Sequence, residues 1–451
     1  MSAHDRSHVI DHSSRNPAHP APAGASRRLL EAAIVLAVFV AMAYAAWSTQ
    51  HVRVTNWWDA DEYFRTTEQL AAGQTPTRAA PYVYRLAAPW IVAMASPANI
   101  AGGFLVLNLL ATAASTLLLL AWLRRFVAAS WIRVALTALF VITWHAPTRF
   151  VFYYPVYVDP LLFPFLLGGL ILTDRITREG TEPGLVASLT GVVIAGTFVR
   201  EVMLIVPVAL LLSGRRSWRH AGLWAPLVAG AVVVAITHAL VQPRATDYSF
   251  AGAALQQVRT KPLFTWVLAW FITYGPLLSV LMFGWRTAAA VFRDRAYLAW
   301  YVLAFTGLSY VGGQDTERLL YWSMPGIYAV MACAIDRNRH ALHSTYLAAL
   351  IVVTQLLSAR VFWSIPSPSL GVPEFSQTPR NAWSYGIVNR LLIVDDFHWN
   401  LYSNFGSRSF HALQLALYVA LAAVMCGWMG LIAKKRKVVR AQGFEPWTPA
   451  V

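Results

Sequence analysis

Charge is scarce in this chain: 13% of its 451 residues are Asp, Glu, Lys or Arg, against about 25% in an ordinary soluble protein. That excludes a mainly water-exposed surface. Cysteine is scarcer still. Cys333 and Cys426 are the only two, and both lie inside apolar runs, which argues against a disulfide framework and a cysteine-based metal site. The first apolar run, Leu29 to Ser48, lacks a convincing cleavage site and is too long for a signal-peptide core, so it reads as a retained span. No internal repeat of the inverted transporter type is found.

What is abundant is apolar and aromatic surface: 57% of residues are hydrophobic, with 19 Trp, 18 Tyr and 22 Phe. Apolar runs recur along nearly the whole length, which predicts an all-α polytopic membrane protein. The formal charge of +15 invites a nucleic-acid reading, but the basic residues sit in short clusters between the runs. These are Arg27-Arg28, Arg124-Arg125, Arg215-Arg216, Arg293 with Arg295, Arg337 with Arg339, and Lys434 to Lys437. Clusters at alternate span ends are the positive-inside signature of a membrane protein, so no nucleic-acid partner is expected.

A spanning helix needs roughly 20 apolar residues. On that rule spans are expected at about 29–48, 99–122, 131–146, 150–173, 221–241, 263–285, 297–311, 318–335, 342–363 and 410–432. Residues 185–212 could form one helix that buries Arg200 and Glu201 near mid-bilayer. Two short helices keep every later basic cluster on one side, and broken helices are tolerated where they line a cavity. The split is preferred, giving about twelve hydrophobic segments, some short or broken, with both termini cytoplasmic. Residues 1–26 read as a disordered tail, 27–438 as the membrane domain, and 439–451 as a second tail. Outer loops are expected at 49–98 and 364–409; within the first, "RLAAPWIVAMA" suits a helix lying along the interface.

On this topology ionisable groups collect on the outer side. They are Asp59, Asp61 and Glu62 of "WWDADEY", Arg85, His145 and Arg149 of "HAPTRF", Arg200 and Glu201 of "FVREV", and Asp315, Glu317 and Arg318 of "GGQDTERLLYW". Asp159 falls about six residues below that face, inside the fourth span. Such groups are costly near lipid and are functional candidates by default, which suggests one cavity opening outward. Each also has a plainer reading. The first three could be a solvated loop, Arg200 and Glu201 a hairpin tip, and Asp315 with Arg318 a helix cap and a local ion pair. His145 and His398 lie near aromatic residues, and neither has metal-ligand spacing.

The pattern resembles the GT-C superfamily of polytopic glycosyltransferases. An acidic cluster directly follows span 1, with Tyr63 four residues after Asp59 and "AAGQTP" beyond. "GTFVREVMLIVP" is similar to that family's small, Arg, acidic, apolar segment. "GGQDTERLLYWSMPGIY" is similar to its late outer segment, where an Asp and an Arg precede a helix with Pro. The likeness covers the topology and three short motifs; no large soluble C-terminal domain of the oligosaccharyltransferase kind is present. It implies a GT-C-like fold with a long first outer loop, and transfer of a sugar from a polyprenyl-phosphate donor to an envelope glycan, lipid or protein. The setting it suggests is a bacterial inner membrane.

The residues suit that chemistry. A carboxylate can take the acceptor proton once desolvation raises its pKa, and Arg pairs with phosphate through a planar fork that stays charged. Asp59 is the expected base, with Asp61 able to exchange roles and Glu62 assisting. Arg85, Arg200 and Arg318 are the expected phosphate partners. His145, Arg149, Asp159, Glu201 and Asp315 complete the substrate-binding candidates. No cofactor follows from the sequence; a divalent metal, if used, would fall to Asp59 and Asp61. The rival reading is a transporter or lipid flippase using the same polar cavity.

Overall fold

A computed structural model describes residues 24–49, 55, 59–143, 146–214, 219–244, 249–313, 315–359, 361, 403 and 408–441. Most of the terminal tails and of the 364–409 loop, as well as His145, His398, Trp57 and Trp58, lie outside the described residues.

Among the described residues the chain is all helical. The order is α1 (Ala25–Thr49), α2 (Asp59–Ala71), α3 (Ala87–Ala95), α4 (Ile100–Leu123), α5 (Ser130–Ile142), α6 (Pro147–Tyr153), α7 (Asp159–Glu179), α8 (Pro183–Val199), α9 (Ile205–Leu212) and α10 (Ala225–Leu240). There follow α11 (Phe250–Thr260), α12 (Leu263–Tyr274), α13 (Leu278–Phe283), α14 (Trp285–Asp294), α15 (Ala296–Val311), α16 (Thr316–Tyr321), α17 (Met324–Arg337), α18 (Arg339–Leu342), α19 (Thr345–Ser358) and α20 (Arg408–Ala441). Six helical stretches are long and apolar enough to cross a membrane, and five further apolar helices are shorter, at 10–17 residues. This is the build of a helical membrane protein. The long loop after α1 is ordered by α2 and α3, and α3 exposes Trp90 and Met94, as an interfacial helix does.

Four interruptions depart from a simple row of spans, and two of them build the site. The expected fourth span at 150–173 is two helices, α6 and α7, separated at Tyr154–Val158. Pro155 disfavours helical geometry at the residue before it, and Tyr154 accordingly leaves the helix, at φ −130° and ψ 74°. Backbone freed inside an apolar body needs partners. The Asn108 amide of α4 supplies them, donating to the carbonyls of Pro155 at 2.9 Å and Tyr157 at 3.0 Å. Asp159 is therefore the first residue of α7 rather than a group within a span.

The break preferred within 185–212 is present: α8 ends at Val199, Arg200 is extended at φ −162°, and a short 3-10 turn, Glu201–Leu204, leads into α9. The expected spans at 263–285 and 318–335 are likewise divided, into α12 with α13 and into α16 with α17. Between α16 and α17 the exposed carbonyls are capped by aromatic side chains. Tyr274 donates to Leu320 O (3.0 Å), Tyr301 to Trp322 O (2.7 Å) and Trp122 to Pro325 O (2.8 Å). Beyond the break α17 is buried along most of its length, which fixes α16 against the centre of the bundle.

α7 packs between α4 and α8 and carries an acid near each end. Asp174 lies 15 positions after Asp159, which at 1.5 Å per residue puts the two about 22 Å apart. Asp174 accepts from Arg125, from Arg295 (3.0 Å) and from Tyr297 (2.7 Å), while nearby Glu31 accepts from Arg133, Ser130 and Arg124. These buried pairs tie α1, α4, α5, α7 and α15 together at the end that carries the basic clusters. The Asp159 end is a different kind of place.

Candidate active site

Arg318, on α16, stands at the centre. Its Nη1 donates to Asp59 Oδ2 at 3.0 Å, its Nη2 lies 3.1 Å from Asp315 Oδ2, and its Nε is 3.5 Å from Asp159 Oδ2. Asp159 Oδ1 accepts from Arg200, whose guanidinium lies 4.3 Å over the Trp322 ring. The other oxygen of Asp59 accepts from the Tyr154 hydroxyl, which in turn accepts from the Ala60 amide at 2.7 Å. Five charged residues from four separate segments thus form one web, and Asp59, Asp159 and Arg200 are each at least nine-tenths buried.

Beside the web lies a narrow pocket with about 10 Å³ of free room, enough for a water-sized group, lined by Pro147, Phe150, Tyr157, Phe163, Tyr321 and Trp322 together with Asp159 and Arg318. Its wall is aromatic and its charge sits at one place. Among the buried polar atoms of the web, Asp159 Oδ2 and Arg200 Nε make no hydrogen bond among the described residues, although Asp159 Oδ2 keeps its 3.5 Å ion pair with Arg318.

α2 explains why one of the loop acids is in the web and its neighbours are not. Asp59, Tyr63, Thr66 and Thr67 form its buried face, the i, i+4, i+7 spacing of a helix side. Asp61 is two positions on, about 200° around, and pairs with Arg78 at 2.8 Å and Arg65 at 3.5 Å. Glu62 pairs with Arg78 at 3.0 Å and accepts from the Ala79 amide at 3.0 Å. The exchange of roles expected between Asp59 and Asp61 is therefore not what the geometry offers: Asp61 and Glu62 anchor the "TPTRAAP" loop.

Arg85 and Glu201 form their own fork (2.8 and 3.2 Å), with Arg85 also donating to the Tyr63 hydroxyl at 2.9 Å. That pair adjoins the web, because Tyr63 feels the charges of Arg85, Arg200 and Asp59 together. Arg149 is buried but turns elsewhere, donating to Ala359 O at 2.8 Å and Ile142 O at 3.3 Å, where it caps helix ends. Among the described residues no group of three or more His, Cys, Asp or Glu side chains could hold a metal ion.

Burial pushes the Asp59 carboxyl up, but Arg318, the Tyr154 hydroxyl and Arg200 outweigh it, and the net shift is downward. Asp59 is thus held as a carboxylate. Asp315 shifts the other way. Desolvation raises it, and Asp59 and Asp159 add to the rise, against Arg318 and Lys261.

Sequence reasoning placed Glu317 on this side without giving it a role. Its carboxyl is buried, accepts from the Ser403 amide at 2.7 Å, and is pushed up to about 7 by burial, against the Ser403 hydrogen bonds and Lys261. A carboxyl raised in the fold contributes stability that is complete below its usual 4.5 and lost as pH rises through about 7. By linkage this is worth about 3 kcal/mol. Thermal melts of the purified protein are expected to show stability falling from pH 4.5 to 7.5, and Glu317→Gln to flatten that fall.

Arg78 and Trp322 were not legible as site supports, and neither was the tie of Tyr154, an aromatic suited to a sugar face or a prenyl chain, to Asp59. Arg78 is a lone base in a Pro-rich stretch, and Tyr154 is one tyrosine among several in "YYPVY". No family model, curated protein or solved structure matches the chain.

Proposed function

We propose that the chain is a membrane glycosyltransferase that moves a sugar from a polyprenyl-phosphate donor to an acceptor on the outer face, with Asp59 as general base. The observation that carries this reading is the joining of Asp59 to Arg318 and Arg200 beside an aromatic cavity. The resemblance of "WWDADEY", "FVREV" and "GGQDTERLLYW" to GT-C segments adds to it. The clusters Arg27-Arg28, Arg124-Arg125 and Arg293 with Arg295 meet near the far end of α7, and the positive-inside rule favours an outer position for the web.

In this mechanism the acceptor hydroxyl approaches beside Arg318 and gives its proton to the Asp59 carboxylate, which Arg318 holds next to the cavity. Its oxygen forms a bond to the anomeric carbon of the sugar. The bond from that carbon to the phosphate oxygen breaks, and its electron pair leaves with the polyprenyl phosphate. Arg318 and Arg200 carry the charge that grows on the departing phosphate, and groups placed in advance for such charge usually supply the largest share of catalysis. Tyr154 holds Asp59 in one orientation. Phe150, Tyr157 and Tyr321 supply flat faces for the sugar or the first prenyl units.

The deciding experiment is incubation of the purified protein with a radiolabelled polyprenyl-phosphate sugar and membrane lipids. Labelled product is expected. Movement of the intact donor across a vesicle bilayer, without cleavage, would make the chain a flippase.

A further inference from the structure

Asp315 occupies the N-cap position of α16 yet makes no side-chain cap hydrogen bond. A helix N-terminus normally takes such a carboxylate as its cap. Here it is spent on the Nη2 edge of Arg318 at 3.1 Å. That edge belongs to a cavity-lining residue, and Asp315, at 34% side-chain exposure, is the most accessible acid of the web. Asp59 and Asp159 are 8% and 4% exposed.

The web's charge points the same way. Two guanidiniums, Arg200 and Arg318, face the three carboxylates of Asp59, Asp159 and Asp315. With all five ionised, one negative charge remains; the adjoining Arg85–Glu201 pair adds nothing to it, and Lys261, the other cation acting on Asp315, offsets it. An incoming anion gains Arg318 only where a carboxylate withdraws from it, since like charges at contact distance are unfavourable.

We infer that Asp315 is a built-in counter-anion that competes with a phosphate diester for Arg318, and that the diester binds by displacing Asp315 from the Nη2 edge. This rests on the proposed function for the identity of the anion. The groups that face Asp315 are Arg318 on its own helix, Asp59 on α2, Asp159 on α7 and Lys261 between α11 and α12. Of the three acids, Asp315 can swing outward without leaving a charge buried. Asp59 then stays ionised, loses part of its hold on Arg318 and becomes the better base. Selectivity follows too: a weakly competing anion would not displace Asp315, so the site would admit a phosphate held also by Arg200.

The test measures binding of two diesters to the purified protein by calorimetry at pH 8. The probes are farnesyl methyl phosphate and diethyl phosphate, neither of which titrates near that pH. Asp315→Asn is expected to bind about tenfold more tightly than wild type. Response to the farnesyl probe alone identifies a lipid headgroup, and response to both makes the phosphate sufficient; either supports the inference. Unchanged or weaker binding by Asp315→Asn overturns it, as does an absence of binding by either probe. Should the variant fail to fold, Asp315→Ser takes its place, and the same two outcomes decide: tighter diester binding supports the inference, and unchanged or weaker binding overturns it. Sugar transfer with unaltered diester affinity in Asp315→Asn sinks this inference and leaves the proposed function standing. The expected binding pattern without transfer does the reverse.

Discussion

Asp59→Asn is expected to cut transfer turnover by about 10²–10⁴-fold, the usual worth of general-base catalysis, while leaving donor binding within a fewfold of wild type. Asn keeps the shape of the side chain, and its one carbonyl oxygen can still accept from Arg318, although it cannot at the same time accept from Tyr154 as the second carboxylate oxygen does. It cannot accept the acceptor's proton. The loss should therefore lie in kcat and not in KM, the signature of an interaction made in the transition state. Asp61→Asn is the control. Its partners are Arg78 and Arg65, so it should retain most of its turnover. Single-turnover assays on both variants decide the matter: near-normal turnover in Asp59→Asn would remove Asp59 as the base.

Arg318→Ala should do more damage, because the guanidinium is asked to act in ground and transition states alike. Donor affinity and turnover should fall together. Stability should fall as well, since removing one partner of a buried ion pair costs about 3–5 kcal/mol, and the lower figure fits a residue that is 17% exposed. The remaining acids would then lack their shared cation. Burial, already the largest influence on Asp59, would act with less opposition and push its carboxyl upward. Arg318→Lys restores the charge but cannot reach Asp59, Asp159 and Asp315 at once, because a single ammonium lacks the fork. Partial recovery of stability with poor recovery of turnover is the expected result. If Arg318→Ala bound and turned over donor normally, the web would be structural.

The break at Arg200 was legible because two signals met there. An Arg–Glu pair inside an apolar run is costly in lipid, and the later basic clusters keep a common side only if the run is split. The same reasoning missed the break at Tyr154–Val158. Pro155 and Pro160 stand in the sequence, but a proline within an apolar run can kink a helix as readily as end one. What decided it was Asn108, 47 positions earlier, reaching the Pro155 carbonyl. Asp59 and Asp61 read as interchangeable along the chain, but the fold places them differently, Asp59 with Arg318 and Asp61 with Arg78. Once α2 begins at Asp59, two residues mean opposite faces.

The amino-acid order alone determined that this is a helical membrane protein, because apolar run length and charge placement are local quantities that water and lipid enforce whatever the tertiary fold. It also determined which residues are too expensive to sit near lipid without a purpose. Only the tertiary structure decided which of them meet. Arg318 and Asp59 are 259 positions apart, and their pairing depends on the helix breaks, the aromatic caps on the Leu320, Trp322 and Pro325 carbonyls, and the packing of α17. Those are sums of many weak contacts between distant segments, and no short stretch of sequence carries them.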